Sequence, residues 1–133
     1  MSRGIRNHNP GNINYHAANQ WLGLLPHDPT IETRFCRFES AEYGIRALMK
    51  LLCNYHKNGY QSIARMIDRW APSNENNTTA YIRGVANAVG VDPQQVISLD
   101  KVTLTALAKS IIRHENGQQP YAEATFEKAF ALL

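Results

Sequence analysis

The sequence predicts one mostly α-helical domain spanning residues 1–133, with a loop- and β-hairpin-rich region in its first forty residues. Three observations lead there. A length of 133 residues suits a single hydrophobic core. Hydrophobic residues make up 44% and charged residues 19%, enough apolar surface to offset the entropy of ordering the chain. From Ser40 onward the apolar residues recur at helical spacing, whereas before it Asn, Pro and Gly cluster as in turns.

The turn-rich part contains Asn7-His8-Asn9-Pro10-Gly11-Asn12 and Leu25-Pro26-His27-Asp28-Pro29. Short strand-like pieces, residues 12–15 and 33–38, are expected to pair as a hairpin. Ser40 can cap a helix that carries Ile45, Leu48, Met49, Leu52 and Cys53 on one face and ends at Asn58-Gly59. A second helix runs from about Ser62 through Ile63, Met66, Ile67 and Trp70 until Pro72 stops it. A third starts at Asn77 or Thr78, passes Tyr81, Ile82, Val85, Ala86 and Val89, and closes at Gly90. A short helical turn is expected over residues 93–97. Thr103 can cap the next helix, striped by Leu104, Leu107, Ala108, Ile111 and Ile112 and followed by Gly117. A last helix, from residue 120 to about 132, buries Phe126, Ala129 and Phe130.

Charge and composition narrow the function. Lys and Arg number 14 against 11 Asp and Glu, a net charge of +3 that favours anionic polymers. The basic residues are scattered, with no run of five, so nucleic acid is not the expected partner. No apolar leader and no stretch near the roughly 18 apolar residues of a span occurs, which predicts synthesis in the cytoplasm without a signal peptide and no stable membrane insertion. Cys36 and Cys53 read as reduced structural thiols. The five histidines, His8, His16, His27, His56 and His114, form no His-Glu-x-x-His pattern, so no metal and no cofactor is expected.

One residue breaks the hydrophobic pattern. Continuing the stripe Leu104, Ala108, Ile111 at about 100° per residue places Glu115 on the same, core-directed face. Loss of water and the negative end of the helix dipole both disfavour an ionised carboxylate at such a position. A carboxylic acid kept protonated is what a general acid for glycosidic cleavage requires.

Ile112-Arg113-His114-Glu115-Asn116-Gly117, closing an apolar helix, resembles the catalytic helix end of soluble lytic transglycosylases and goose-type lysozymes. Their acid Glu is usually followed by Ser, where this chain has Asn116. Thr78, Tyr81 and Ile82 are similar to the Thr-x-x-Tyr-Val stretch of the same superfamily, which implies that the Tyr81 hydroxyl orients the acid or a sugar. In those families the catalytic helix comes first. Here it follows the Tyr81 segment, an order that a circularly permuted lysozyme-like domain would explain. The chain also resembles phage and prophage cell-wall-lysing proteins through Arg3-Gly4-Ile5-Arg6-Asn7-His8-Asn9-Pro10-Gly11-Asn12-Ile13, Gly44-Ile45-Arg46-Ala47-Leu48 and Trp70-Ala71-Pro72.

The resemblance implies a monomeric peptidoglycan glycosidase, an endolysin or virion-associated lysin, that cuts the β-1,4 bond between N-acetylmuramic acid and N-acetylglucosamine. It would reach the cell wall in the virion or by holin-dependent export. Glu115 is the expected acid and Glu75 the second candidate. Asn9 and Asn12, with Tyr15, Thr78 and Tyr81, are the expected substrate-binding residues, and Trp21 could stack on a sugar. Glu39 is set aside because it begins a helix. Hydrolysis, as in a lysozyme, would need a second carboxylate such as Glu75 or Asp68. A virion structural or glycan-binding protein without turnover is the reading from another class.

Overall fold

The apolar periodicity beyond Ser40 becomes a set of packed helices because each stripe meets another. The structure, a computed structural model, describes residues 1–71 and 77–133. Its helices are α1 (Arg3–Arg6), α2 (Ala41–Lys57), α3 (Ile63–Trp70), α4 (Thr78–Val89), α5 (Lys101–Asn116) and α6 (Glu123–Ala131). Helix α2 packs against α3, α5 and α6, while α4 fits between α3 and α5. Ile45, Leu48, Leu52, Met66, Tyr81, Leu107, Ile111 and Phe126 are among the residues fully enclosed in that core.

Local chemistry sets most helix ends. Ser40, Ser62 and Asn77 accept from the backbone N–H of Tyr43, Arg65 and Ala80, satisfying donors that the first turn leaves open. Three expectations are corrected. Asp100, not Thr103, caps α5 by accepting from Thr103 N at 2.8 Å, since a carboxylate also meets the positive end of the helix dipole. Residues 93–97 form a turn rather than a helix: Pro93 O accepts from Ala64 N and Ile97 N donates to Gln61 O, so their backbone is committed to the start of α3. The last helix begins at Glu123, three residues later than expected.

The first forty residues carry α1, which the pattern did not foretell, and two isolated antiparallel bridges, Asn14 with Phe35 and Leu24 with Phe38. The expected pieces do pair, through Tyr15 N to Arg34 O and Cys36 N to Ile13 O, both 2.9 Å. They form no continuous hairpin ladder among the described residues. A second, smaller core of Ile13, Cys36, Phe38 and Ala47 lies beneath this region, and Trp70 packs against both cores.

The two parts touch backbone to backbone at Gly44 on α2. A Cβ there would fall 1.8 Å from the His8 carbonyl oxygen, so only glycine allows the Asn-rich turn to rest on the helix. No helix among the described residues is long and apolar enough to cross a membrane.

Candidate active site

Helix α5 delivers Glu115 in its last turn, and the neighbouring Asn116 anchors that turn. The Asn116 amide donates to Pro10 O at 2.8 Å and Ile112 O at 2.9 Å, and its Oδ1 accepts from Ser2 Oγ at 2.7 Å. Gly4 makes room for this junction. A Cβ on it would lie 2.6 Å from Asn116 Oδ1 and 2.9 Å from Asn12 Oδ1. The Asn116 amide thus stitches the helix end to the N-terminal turn.

The turn itself is built around Asn9. Its buried amide donates to Ile13 O and Cys36 O at 3.0 and 2.9 Å, and accepts from Ile13 N at 3.0 Å. This holds Asn12 at φ 51°, a left-handed conformation that Asn tolerates better than most residues. From there Asn12 Nδ2 donates to Glu115 Oε1 at 3.1 Å. The Tyr81 hydroxyl, rising from α4, donates to Glu115 Oε2 at 3.0 Å. Each carboxylate oxygen therefore has its own donor.

Tyr81 is fully buried, and its hydroxyl is held firmly protonated. Burial is the main cause, followed by the negative charge of Glu115 and the hydrogen bond to it, with the Trp70 hydrogen bond opposing in part. The exposed His114 ring stacks on the Tyr81 ring, centroids 3.5 Å apart and planes 21° apart. Asn12 Oδ1 is buried with no hydrogen-bond partner among the described residues.

Glu115 opens onto a cleft of about 770 Å³ at the seam between the two cores. Asn12, Asn14 and Asn19 line it with amides, and Trp21, Phe35, Tyr55 and Trp70 with half-buried aromatic rings. Arg34 and Arg69 bring positive charge. Glu115 is the one carboxylate on its wall among the described residues.

The expected residues separate into two groups. Glu115, Asn12 and Tyr81 come together, although Glu115 is half-buried on the cleft wall rather than enclosed in the core. Three other residues expected to contact sugar are placed away from the cleft surface. Asn9 is buried with its amide wholly engaged by the turn, so it shapes the site without reaching a ligand. Thr78 is buried and donates to Ala71 O at 3.0 Å, tying the start of α4 to the end of α3. Tyr15 stacks on His27 with centroids 4.0 Å apart and packs on the smaller core, outside the cleft. Glu75 lies outside the described residues. Asp68 is exposed on α3 and Glu39 exposed beside Ser40, and neither lines the cleft.

The structure adds a buried carboxylate that periodicity could not reveal. Glu32 accepts from Arg3 at 2.8 and 2.6 Å, from Asn7 Nδ2 at 3.0 Å, and from the N–H of Arg34 and Phe35 at 2.8 and 2.9 Å. The Arg3 guanidinium foremost, with the two backbone N–H groups and Asn7 adding to it against the opposing effect of burial, holds its carboxyl far below the usual range. It fastens α1, and with it Gly4 and Ser2, to the loop beneath the cleft. The thiols offer no nucleophile: burial pushes Cys36 up to about 11 and raises Cys53 as well. Among the described residues no group of three or more His, Cys, Asp or Glu is placed to hold a metal ion.

No protein-family model matches the sequence. The chain is 38% identical over 132 residues to Protein P5 of Pseudoalteromonas phage PM2, an alignment covering 97% of this chain and 80% of that protein. The similarity thus includes the N-terminal turn, the cleft and the end of α5, and the chain belongs to the family of the phage PM2 protein P5.

Proposed function

We propose that the chain is a peptidoglycan glycosidase that cuts the β-1,4 bond between N-acetylmuramic acid and N-acetylglucosamine, with Glu115 as acid and then base. One observation carries the reading: a half-buried carboxylate on a cleft wall, with one oxygen held by Asn12 and the other by Tyr81. Two directed donors fix the carboxyl in one orientation, which proton transfer to a bound oxygen demands. Amides and aromatic rings along the same cleft suit N-acetyl groups and sugar faces. Membership in a family with a phage protein fits a cell-wall lysin, endolysin or virion-borne, acting on the bacterial wall.

In the proposed reaction Glu115 gives its proton to the glycosidic oxygen as the bond from muramoyl C1 to that oxygen breaks, releasing the glucosamine 4-hydroxyl. The carboxylate then takes the proton of the muramoyl 6-hydroxyl, whose oxygen closes on C1. The product is a 1,6-anhydro sugar, Glu115 is protonated again, and no water is consumed. That is lytic transglycosylase chemistry, and a helical domain with the Tyr81 helix preceding the Glu115 helix would be a permuted version of the lysozyme-like arrangement.

The test is turnover of purified peptidoglycan. The wild-type chain should release soluble fragments with or without a chelator, and Glu115→Gln should lose about 10³-fold or more of that rate. Full activity in a folded Glu115→Gln protein would remove the acid. Activity lost to chelator and restored by zinc would replace the glycosidase with a metalloenzyme, and an inert wild-type chain would favour a virion structural or glycan-binding role.

A further inference from the structure

We infer that the cleft recognises carboxylate groups on its ligand through Arg34 and Arg69, so that its substrate is an anionic glycan and not a neutral chitin-like one. The inference rests on the glycosidase reading and specifies the substrate class of that same cleft.

Two other arginines of the N-terminal region, away from the cleft, are already engaged: Arg3 is paired with Glu32, and Arg37 donates to Pro26 O. Arg34 and Arg69 line the cleft, yet neither makes an ion pair among the described residues. Arg34 is also held in place. Its Nε donates to Asn14 Oδ1 at 2.9 Å and its guanidinium lies 4.8 Å from the Phe35 ring centroid. Those contacts use one N–H and one face, leaving the outer fork open for a bidentate acceptor. Arg69 stands 5.4 Å from the Tyr60 ring centroid at the end of α3, beside Trp70. Two positioned guanidinium groups with no counter-ion among the described residues outnumber Glu115, the one carboxylate that those residues place on the cleft wall.

The rest of the lining points to a carboxylated glycan over a polyphosphate. Amides from Asn12 and Asn14 and the half-buried rings of Trp21, Phe35 and Trp70 share the lining with the two charges. Glu115 would repel a continuous phosphate backbone, whereas a strand bearing isolated carboxylates can place them at Arg34 and Arg69 and leave neutral sugar at Glu115. On peptidoglycan those carboxylates come from the stem peptide, or from the lactyl group where the peptide has been removed and its amide opened, and both present the same planar acceptor.

The experiment measures binding to the Glu115→Gln chain, chosen to hold ligand without turnover. Four probes are titrated: soluble peptide-bearing glycan oligomers, the same oligomers with carboxylates capped as methylamides, oligomers stripped of stem peptide by an amidase, and chito-oligosaccharides of equal length. The native oligomers should bind about tenfold more tightly than the capped ones or the chito-oligosaccharides, and added salt should shrink the difference. Affinity retained after stripping shows that the lactyl carboxylate freed by the amidase serves the two arginines as well as the stem peptide does, and affinity lost assigns the stem-peptide carboxylates alone. Adding Arg34→Gln and Arg69→Gln should bring the ratio of native to capped affinity close to one, with the thermal melt confirming the fold. Equal binding of native and capped strands would overturn the inference, as would an unchanged ratio in the Arg variants. Tighter, Arg-dependent binding of duplex DNA would also overturn it. Cleavage by the wild-type chain is scored separately: cleavage without the preference defeats this inference alone, and the preference without cleavage defeats the glycosidase reading alone.

Discussion

The Tyr81 hydroxyl and the Glu115 carboxylate, carried by adjacent helices α4 and α5, meet at 3.0 Å, while Asn12 occupies the other carboxylate oxygen at 3.1 Å. The carboxyl is thereby fixed between a turn and a helix, 103 residues from Asn12 and 34 from Tyr81 along the chain. Neither Tyr81 nor Asn9 needs to touch a ligand for the site to depend on it.

Tyr81 is therefore expected to act as a positioning residue. Tyr81→Phe keeps the buried ring and removes the donor, so kcat on peptidoglycan should fall about 10- to 100-fold with KM nearly unchanged. Stability should drop by only about 1 kcal/mol, the usual net value of one hydrogen bond. Asn12→Ala should lower kcat similarly, but Asn12 also faces the cleft, so its KM should rise. A Tyr81→Phe enzyme with wild-type kcat would show that the hydrogen bond is structural alone.

Two helical glycines should respond oppositely to alanine. At Gly44 the added Cβ collides with the His8 carbonyl oxygen, and the turn carrying Asn9 and Asn12 must shift. The overpacking cost, about 1–3 kcal/mol, outweighs the gain of about 1 kcal/mol in helix propensity, and activity should fall with stability. Gly84 in α4 is exposed with nothing within 4 Å of its Cβ position, so Gly84→Ala should stabilise by about 0.5–1 kcal/mol. Urea unfolding of the two variants checks both signs.

What was legible in the sequence follows from range. Helix faces and caps such as Ser40, Ser62 and Asn77 are decided within one or two turns of chain, so periodicity reads them. Glu115 stood out because a carboxylate interrupted an apolar stripe. The companions of Glu115 were harder. Asn12 and Tyr81 reach it across the fold, and Asn9 looks identical to Asn12 in the sequence although the turn buries one amide and points the other at the acid. Glu32 belongs to no periodic element, and its meaning appears only when Arg3, Asn7 and two backbone N–H groups converge on it. Gly44 offered a usable signal: a glycine inside a strongly striped helix weakens that helix unless another backbone needs the space.

The Glu32 cluster predicts an acid-sensitive N-terminal region. Its carboxyl is held below the ordinary value near 4.5, chiefly by Arg3, so the folded state binds fewer protons than the unfolded one. The resulting stabilisation is complete above about pH 4.5 and is lost as pH falls from there toward the depressed folded value. Thermal melts of the wild type should drop steeply between about pH 4.5 and pH 2. Glu32→Gln should be less stable near neutrality by about 2–3 kcal/mol, the scale of hydrogen bonds to a charged group. It should also lack Glu32's share of that acid slope. Parallel slopes in the two proteins would mean that Glu32 titrates alike folded and unfolded.

The products decide between the two glycosidase chemistries. Hydrolysis calls for a second carboxylate, about 5–5.5 Å from the first in retaining enzymes or about 6.5–9.5 Å away in inverting ones. Among the described residues lining the cleft Glu115 has no such companion, since Asp68 and Glu39 lie elsewhere. In the proposed transglycosylase route the same group donates the first proton and accepts the second, and the muramoyl 6-hydroxyl is the nucleophile already attached to the reacting sugar. Digests should therefore contain fragments ending in 1,6-anhydro-N-acetylmuramic acid, each lighter by one water than a hydrolysed end. Mass spectrometry reads this directly, and incubation in ¹⁸O-labelled water should leave the new ends unlabelled. Reducing muramic acid ends carrying the label would establish a lysozyme-type reaction and direct the search for the water-activating base to Glu75. In that case Glu75→Gln, which the transglycosylase route predicts to be milder than Glu115→Gln, should abolish turnover as fully.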